Sequence, residues 1–112
     1  MKLNVNEVIK GMDGKAIETP KTFKDGKVET VEPLTIKKIL LEALLQTGEM
    51  DKNVSGIEKF ERYALASLIN KGGTVELSVE QAAKIKARVG DICTPLVVGY
   101  IWNVMEAKDK GK

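Results

Sequence analysis

The chain has no histidine, one cysteine, three prolines and few aromatic residues, 4% of 112. Without imidazole there is no histidine general base, no Ser-His-Asp or Cys-His nucleophile system, and no zinc site that depends on histidine. Cys93 alone cannot close an internal disulfide, so nothing in the sequence asks for an oxidising compartment. Long apolar runs are missing too. LTIKKILLEALL is interrupted by Lys37, Lys38 and Glu42, TPLVVGYIWNVM is short, and both fall below the roughly 20 residues that span a bilayer. The first residues, MKLNVNEVIKGMDGK, lack the apolar segment and small-residue cleavage site of a secretory signal, and the expected location is the cytoplasm. Neither GxGxxG nor GxxxxGK[ST] occurs, so no phosphate-binding loop is expected.

What is present is an ordinary globular mixture, 43% hydrophobic and 30% charged. A chain of this length forms one domain and buries about two thirds of the surface its unfolded form exposes. The 18 basic and 16 acidic side chains leave a formal charge of +2, spread evenly along the chain, with six of each sign in residues 1–33. Strong attraction to a polyanion then requires local clustering of the cations.

Residues 1–33 read as β-rich. Asp13-Gly14 and Asp25-Gly26 are hairpin turn signals, each followed by lysine and a β-favouring stretch. They predict strands over Leu3–Ile9 and Lys15–Glu18, then Thr22–Lys24 and Lys27–Val31. The echo of MDGKAIET in KDGKVETV is two uses of one turn, since a repeat architecture needs three or more units. The alternating oxygen ligands of a calcium loop are missing at both sites.

From Pro33 the period lengthens to 3.6. Thr35 is placed as an N-cap, and Ile36, Ile39, Leu40, Ala43 and Leu44 fall on one helical face that Leu41 and Leu45 widen, which marks this helix as central. TGEMDKNVSG is a polar connection. Ser55 and Glu58 have capping-box spacing and open a second helix over 56–70, predicted to bury Ile57, Phe60, Ala64, Leu65, Leu68 and Ile69 and to end at Gly72-Gly73. Thr74–Leu77 is a short extended stretch able to pair with the N-terminal strands. Ser78 and Gln81 cap a third helix, Val79–Val89, stopped by Gly90. Thr94-Pro95 opens a fourth, to Ala107. The expected fold class is α+β, a small N-terminal β-hairpin or meander (1–33) packed against about four α-helices (34–107), with a loose tail over 108–112.

Few residues carry chemistry in this pattern. Glu58 and Glu61 share a helix, and Glu76 and Glu80 flank a capping turn, but neither pair has a second cluster to complete a metal shell; solvated carboxylates are the simpler reading. No catalytic residue, cofactor or metal is assigned, and the chain is expected not to be an enzyme. Cys93, just before the last helix, could gain acidity from the helix dipole, although a small buried hydrophobe beside Ile92 explains it as well. Lys84 and Arg88 stand four apart with Lys86 between them, a basic stripe that suggests nucleic-acid regulation, against the plainer alternative of a solvated face.

The last helix is the most informative. Leu96, Val97, Val98, Tyr100, Ile101, Trp102, Val104 and Met105 cover nearly every direction around its axis. Either other elements wrap it, as small mixed domains often do, or part of it, with Tyr100, Trp102 and Met105 as candidates, docks on another copy or another protein. Gly99 weakens the helix and suggests the close approach of a neighbour.

The order L-N-V-N-E-V-I, M-D-G-K-A-I, L-T-I-K-K-I-L-L-E-A-L-L, E-K-F-E-R-Y-A-L-A, V-E-L-S-V-E-Q-A-A-K-I-K and T-P-L-V-V-G-Y-I-W resembles a small protein family encoded in tailed-bacteriophage and prophage genomes. The resemblance spans almost the whole chain and consists of core and capping positions. It implies a viral accessory protein made in a bacterial host cytoplasm and transfers no functional residue. Together with the excess apolar face of the last helix, the expected function is non-enzymatic protein contact, in particle assembly or on a host factor.

Overall fold

A computed structural model describes residues 1–46 and 53–110. Four strands and four helices follow in the order β1 (Lys2–Asn4), β2 (Glu18–Lys24), β3 (Lys27–Pro33), α1 (Ile36–Leu45), α2 (Gly56–Asn70), β4 (Thr74–Glu76), α3 (Val79–Ile92) and α4 (Pro95–Lys110). The fold is α+β. Part of the polar connection, residues 47–52, lies outside the described residues, as do 111–112.

The β segment divides into two antiparallel pairs instead of one meander. β2 and β3 form the hairpin expected at Asp25-Gly26, whose positive φ values of 54° and 76° are the turn conformation that Asp-Gly favours. β1, by contrast, pairs with β4, with Leu3 opposite Val75. Leu3–Ile9 is therefore not one strand. After Asn4 the chain turns, the Asn4 carboxamide accepting the Asn6 N–H and its carbonyl the Glu7 N–H, and only the bridge between Lys10 and Ala16 remains of the first hairpin.

That irregular stretch serves α1. The first four N–H groups of a helix lack intrahelical partners. In α1, with Thr35 as N-cap, Ile36 donates to the Glu7 carbonyl, Lys37 to the Val5 carbonyl and Lys38 to the Thr35 hydroxyl, and the ordinary helical bonds begin with Ile39 to the Thr35 carbonyl. The first three helical N–H groups are thus satisfied, and the chain that does so inserts Leu3, Val5 and Ile9 into the core. The α1 face read from the sequence is the buried one, Ile36, Ile39, Leu40, Ala43 and Leu44, against α2 and α3. Each fully buried aliphatic side chain contributes about 1.5–3 kcal/mol of gross transfer free energy.

The opposite end of α1 is closed from a distance. Arg88 of α3 is 3% exposed; its Nε donates to the Ala43 carbonyl at 2.9 Å and an Nη to the Gln46 carbonyl at 2.6 Å. A guanidinium thus satisfies two of the carbonyls at the end of α1, and its positive charge meets the negative end of the helix dipole.

α3 runs through Gly90 to Ile92, three residues past the predicted stop. Gly90 keeps helical geometry, and a Cβ there would meet the end of the Trp102 ring at 3.2 Å, so it gives α4 room to approach. The helix ends instead at Cys93, extended at ψ 163°, ahead of Thr94-Pro95, where proline disfavours helical geometry in the residue before it. Ser78 and Gln81 form the reciprocal capping box expected from their spacing. α4 continues to Lys110, beyond the predicted end at Ala107 and into the stretch expected to be loose. Gly99 has no close neighbour: a Cβ would meet open space.

Two stability measurements check this account. Arg88→Leu leaves the Ala43 carbonyl buried without its donor and is expected to cost about 2–4 kcal/mol in urea unfolding, with Arg88→Lys recovering only part because an ammonium lacks the fork. Gly99→Ala, with space available and helix propensity in its favour, is expected to stabilise by up to about 1 kcal/mol.

Candidate functional site

The predicted contact residues of α4 are engaged within the molecule. Met105 is 1% exposed and belongs to the core beside Ile101, so it is not a docking residue. The Tyr100 hydroxyl lies 3.1 Å from the Val8 carbonyl and 3.2 Å from a Glu7 carboxylate oxygen, tying α4 to the N-terminal segment. Burial, with the Glu7 charge second, raises its pKa above the ordinary tyrosine range. Trp102 keeps 37% exposure, but its indole N–H donates to the Lys86 carbonyl at 3.2 Å and its ring lies over Gly90. Ile101 and Met105 form the buried face of α4, Val97, Val98, Tyr100 and Val104 are half-buried beside it, and Leu96 and Trp102 stay exposed at 41% and 37%.

The basic stripe is not a stripe. At about 100° per residue, positions 84 and 86 lie on nearly opposite sides of a helix, and 88 falls about 40° from the half-buried Ile92 and about 60° from the buried Ile85. Arg88 is accordingly inside, Lys86 reaches Glu106 at 3.4 Å and the Trp102 ring at 5.5 Å, and Lys84 is clamped between Glu58 at 2.7 Å and Glu61 at 2.8 Å. These three side chains form no common cationic face. Cys93 is half-buried, and burial, followed by the charge of Glu42, raises its thiol pKa, opposite to the activation that a helix N-terminus would give. Among the described residues no group of three metal-ligating side chains converges, and no helix is long and apolar enough to cross a membrane.

The unpartnered apolar surface lies on α2. Ile57 is 75% exposed, Phe60 69% and Tyr63 62%, where Ile57 and Phe60 had been expected in the core together with Ala64, which is also exposed. The reason is angular: Phe60 and Ile69 are nine positions apart, about half a turn out of phase, so both cannot face one core. Ile69, Leu65 and Ala66 win because they face α1, leaving an outward stripe of Ile57, Phe60, Ala64 and Ser67 with Tyr63 alongside. That arithmetic was available from the sequence.

Along the α3 side the stripe opens into a cleft of about 300 Å³ lined by Ala64, Leu65, Glu61, Glu80, Gln81 and Lys84. Its floor is apolar. Its wall is an ion-pair network in which Lys84 joins Glu58 to Glu61 and the Arg62 Nε stands 3.5 Å from Glu58. The hydrogen bond from Lys84 chiefly, with the charges of Lys84 and Arg62 adding to it against an opposing desolvation, holds the Glu58 carboxyl below its usual range. Hydrogen bonds to Glu58 and then Glu61 hold Lys84 above the ordinary lysine range.

A second exposed apolar group lies on the hairpin, at Phe23, Val28 and Val31. Its strand edges carry Pro20, Lys21, Lys24 and two register irregularities, devices that oppose the addition of a further strand. In comparisons with protein-family models, curated proteins and solved structures, nothing matches the chain.

The network predicts two pH limbs. Glu58, with its pKa lowered by folding, contributes stability at neutral pH that is lost as pH falls through and below the usual carboxylate range; Lys84, raised, contributes stability that is lost as pH rises above the usual lysine range. With side chains a quarter to a third exposed, Lys84→Met is expected to cost about 1 kcal/mol or less at pH 7 and to flatten both limbs in urea unfolding across pH.

Proposed function

We propose that this chain is a non-enzymatic protein-contact module, a phage accessory protein that works in particle assembly or on a host factor. The phage setting, and with it a host cytoplasm, rests on the sequence resemblance. The contact reading is supported above all by one observation: two consecutive turns of α2 present Ile57, Phe60 and Tyr63 to solvent at more than half exposure. Single exposed apolar residues are common on soluble proteins, whereas a row of large ones at helical spacing is how a helix presents anchors to a partner. Regulation through nucleic acid, the alternative for Lys84, Lys86 and Arg88, lacks such support, because their positive charges are directed at Glu58, Glu61, Glu106 and two backbone carbonyls.

A double substitution tests the reading. Ile57→Ser with Phe60→Ser removes exposed apolar surface only and is expected to change folding stability by no more than about 0.5 kcal/mol. A photo-crosslinking residue at position 63 should give one discrete protein adduct in bacterial cells, and the double variant should abolish it. Smeared or absent adducts, or an adduct indifferent to the double variant, would refute the proposal.

A further inference from the structure

The cleft beside the α2 stripe constrains the partner's chemistry. It is continuous with the stripe through Ala64, and its volume of about 300 Å³ lies at the lower end of ligand-pocket sizes, room for one long side chain. Its floor is Ala64 and Leu65, and two carboxylates stand at its rim. Glu61 gives one oxygen to Lys84; Glu80 is exposed and has no ion pair among the described residues. The local charge of Glu58, Glu61 and Glu80 against Lys84 and Arg62 is therefore negative on a chain whose formal charge is positive.

An apolar floor with a rim that keeps one net negative charge, Glu80 standing without an ion pair among the described residues, matches a long aliphatic stem that ends in a cation, as in lysine or arginine. We infer, building on the contact reading above, that the partner docks an amphipathic helix across Ile57, Phe60 and Tyr63 and inserts a lysine or arginine side chain into this cleft, with its methylenes on Ala64 and Leu65 and its charge beside Glu80 and Glu61. A second copy of the chain fits less well. In a two-fold antiparallel pairing of α2 with α2 the same flanks meet, so Glu61 and Glu80 would face their own counterparts.

Two synthetic helical peptides with one shared leucine stripe, flanked by lysines in one and glutamates in the other, are the probes, and binding is read by fluorescence anisotropy at low and high salt. The lysine peptide should bind about tenfold tighter than the glutamate peptide, the size of two exposed charge pairs, with the advantage shrinking in salt. Glu80→Gln with Glu61→Gln should remove that advantage, and Ile57→Ser with Phe60→Ser should remove binding of both peptides; urea unfolding of each variant checks its fold. Equal affinity for the two peptides, with binding still lost in the apolar double variant, overturns the cationic inference and leaves the contact reading standing. Binding indifferent to both double variants overturns both readings. No binding of either peptide overturns the inference, and the crosslinking experiment then judges the contact reading alone. A wild type that sediments as a dimer, dissociated by the Ile57 and Phe60 substitutions, assigns the face to a second copy and overturns the inference.

Discussion

The Arg88 guanidinium at the end of α1 is the constraint on which the arrangement of the helices depends. α1 is the central helix, packed by α2 on one side and α3 on the other, and two carbonyls at its C-terminal end, those of Ala43 and Gln46, take their donors from the Arg88 side chain. Supplying that donor from α3 fixes the distance between α1 and α3, and α4 then settles on α3 through Gly90 and Trp102. A leucine at position 88 would pack as well by volume. It would leave α3 free to slide, because dispersion contacts are non-directional where two hydrogen bonds from one planar group are not.

The other end of α1 is held by backbone. Val5 and Glu7 lend it their carbonyls, and Val5 also donates to the Gly73 carbonyl in the turn after α2. One irregular segment thus links the N-terminus of α1, the C-terminus of α2 and, through β1 and β4, the entry to α3. Regular pairing over Leu3–Ile9 would have used these groups within a sheet and left the Ile36 and Lys37 N–H groups of α1 without their partners.

Local signals were legible in the sequence and global ones were not. Thr35, Ser55, Ser78 and Gln81 occupy their predicted capping positions, the Asp25-Gly26 turn forms as its residues require, and the α1 face is the one its spacing marks. These depend on neighbours within four residues. Thr74–Leu77 reads as a strand for the N-terminal segment and pairs with it, but which strand it takes and in what register, seventy residues away, follows from no local pattern. The exposed apolar face follows from phase: the apolar residues of α4 include Ile101 and Met105 in the core, while those of α2 fall on two opposite faces of which only one meets α1. Arg88 illustrates the same point, since charge suggested the surface and phase placed it inside. The cleft, made by side chains of two helices, had no signature in either one.

The β2–β3 hairpin shares no fully buried side chain with the core; Lys38, reaching Thr19 and Glu32, ties it to α1 near its base. An isolated two-stranded ribbon is marginally stable in water, so this arm separates and re-forms with an equilibrium of its own, independent of the cooperative melting of the helical body. Its amide protons accordingly exchange with solvent through local opening, while those of α1 wait for the whole molecule to unfold. Changes of length or sequence beyond Thr19 and Glu32 fall on a part of the chain that the helices do not monitor.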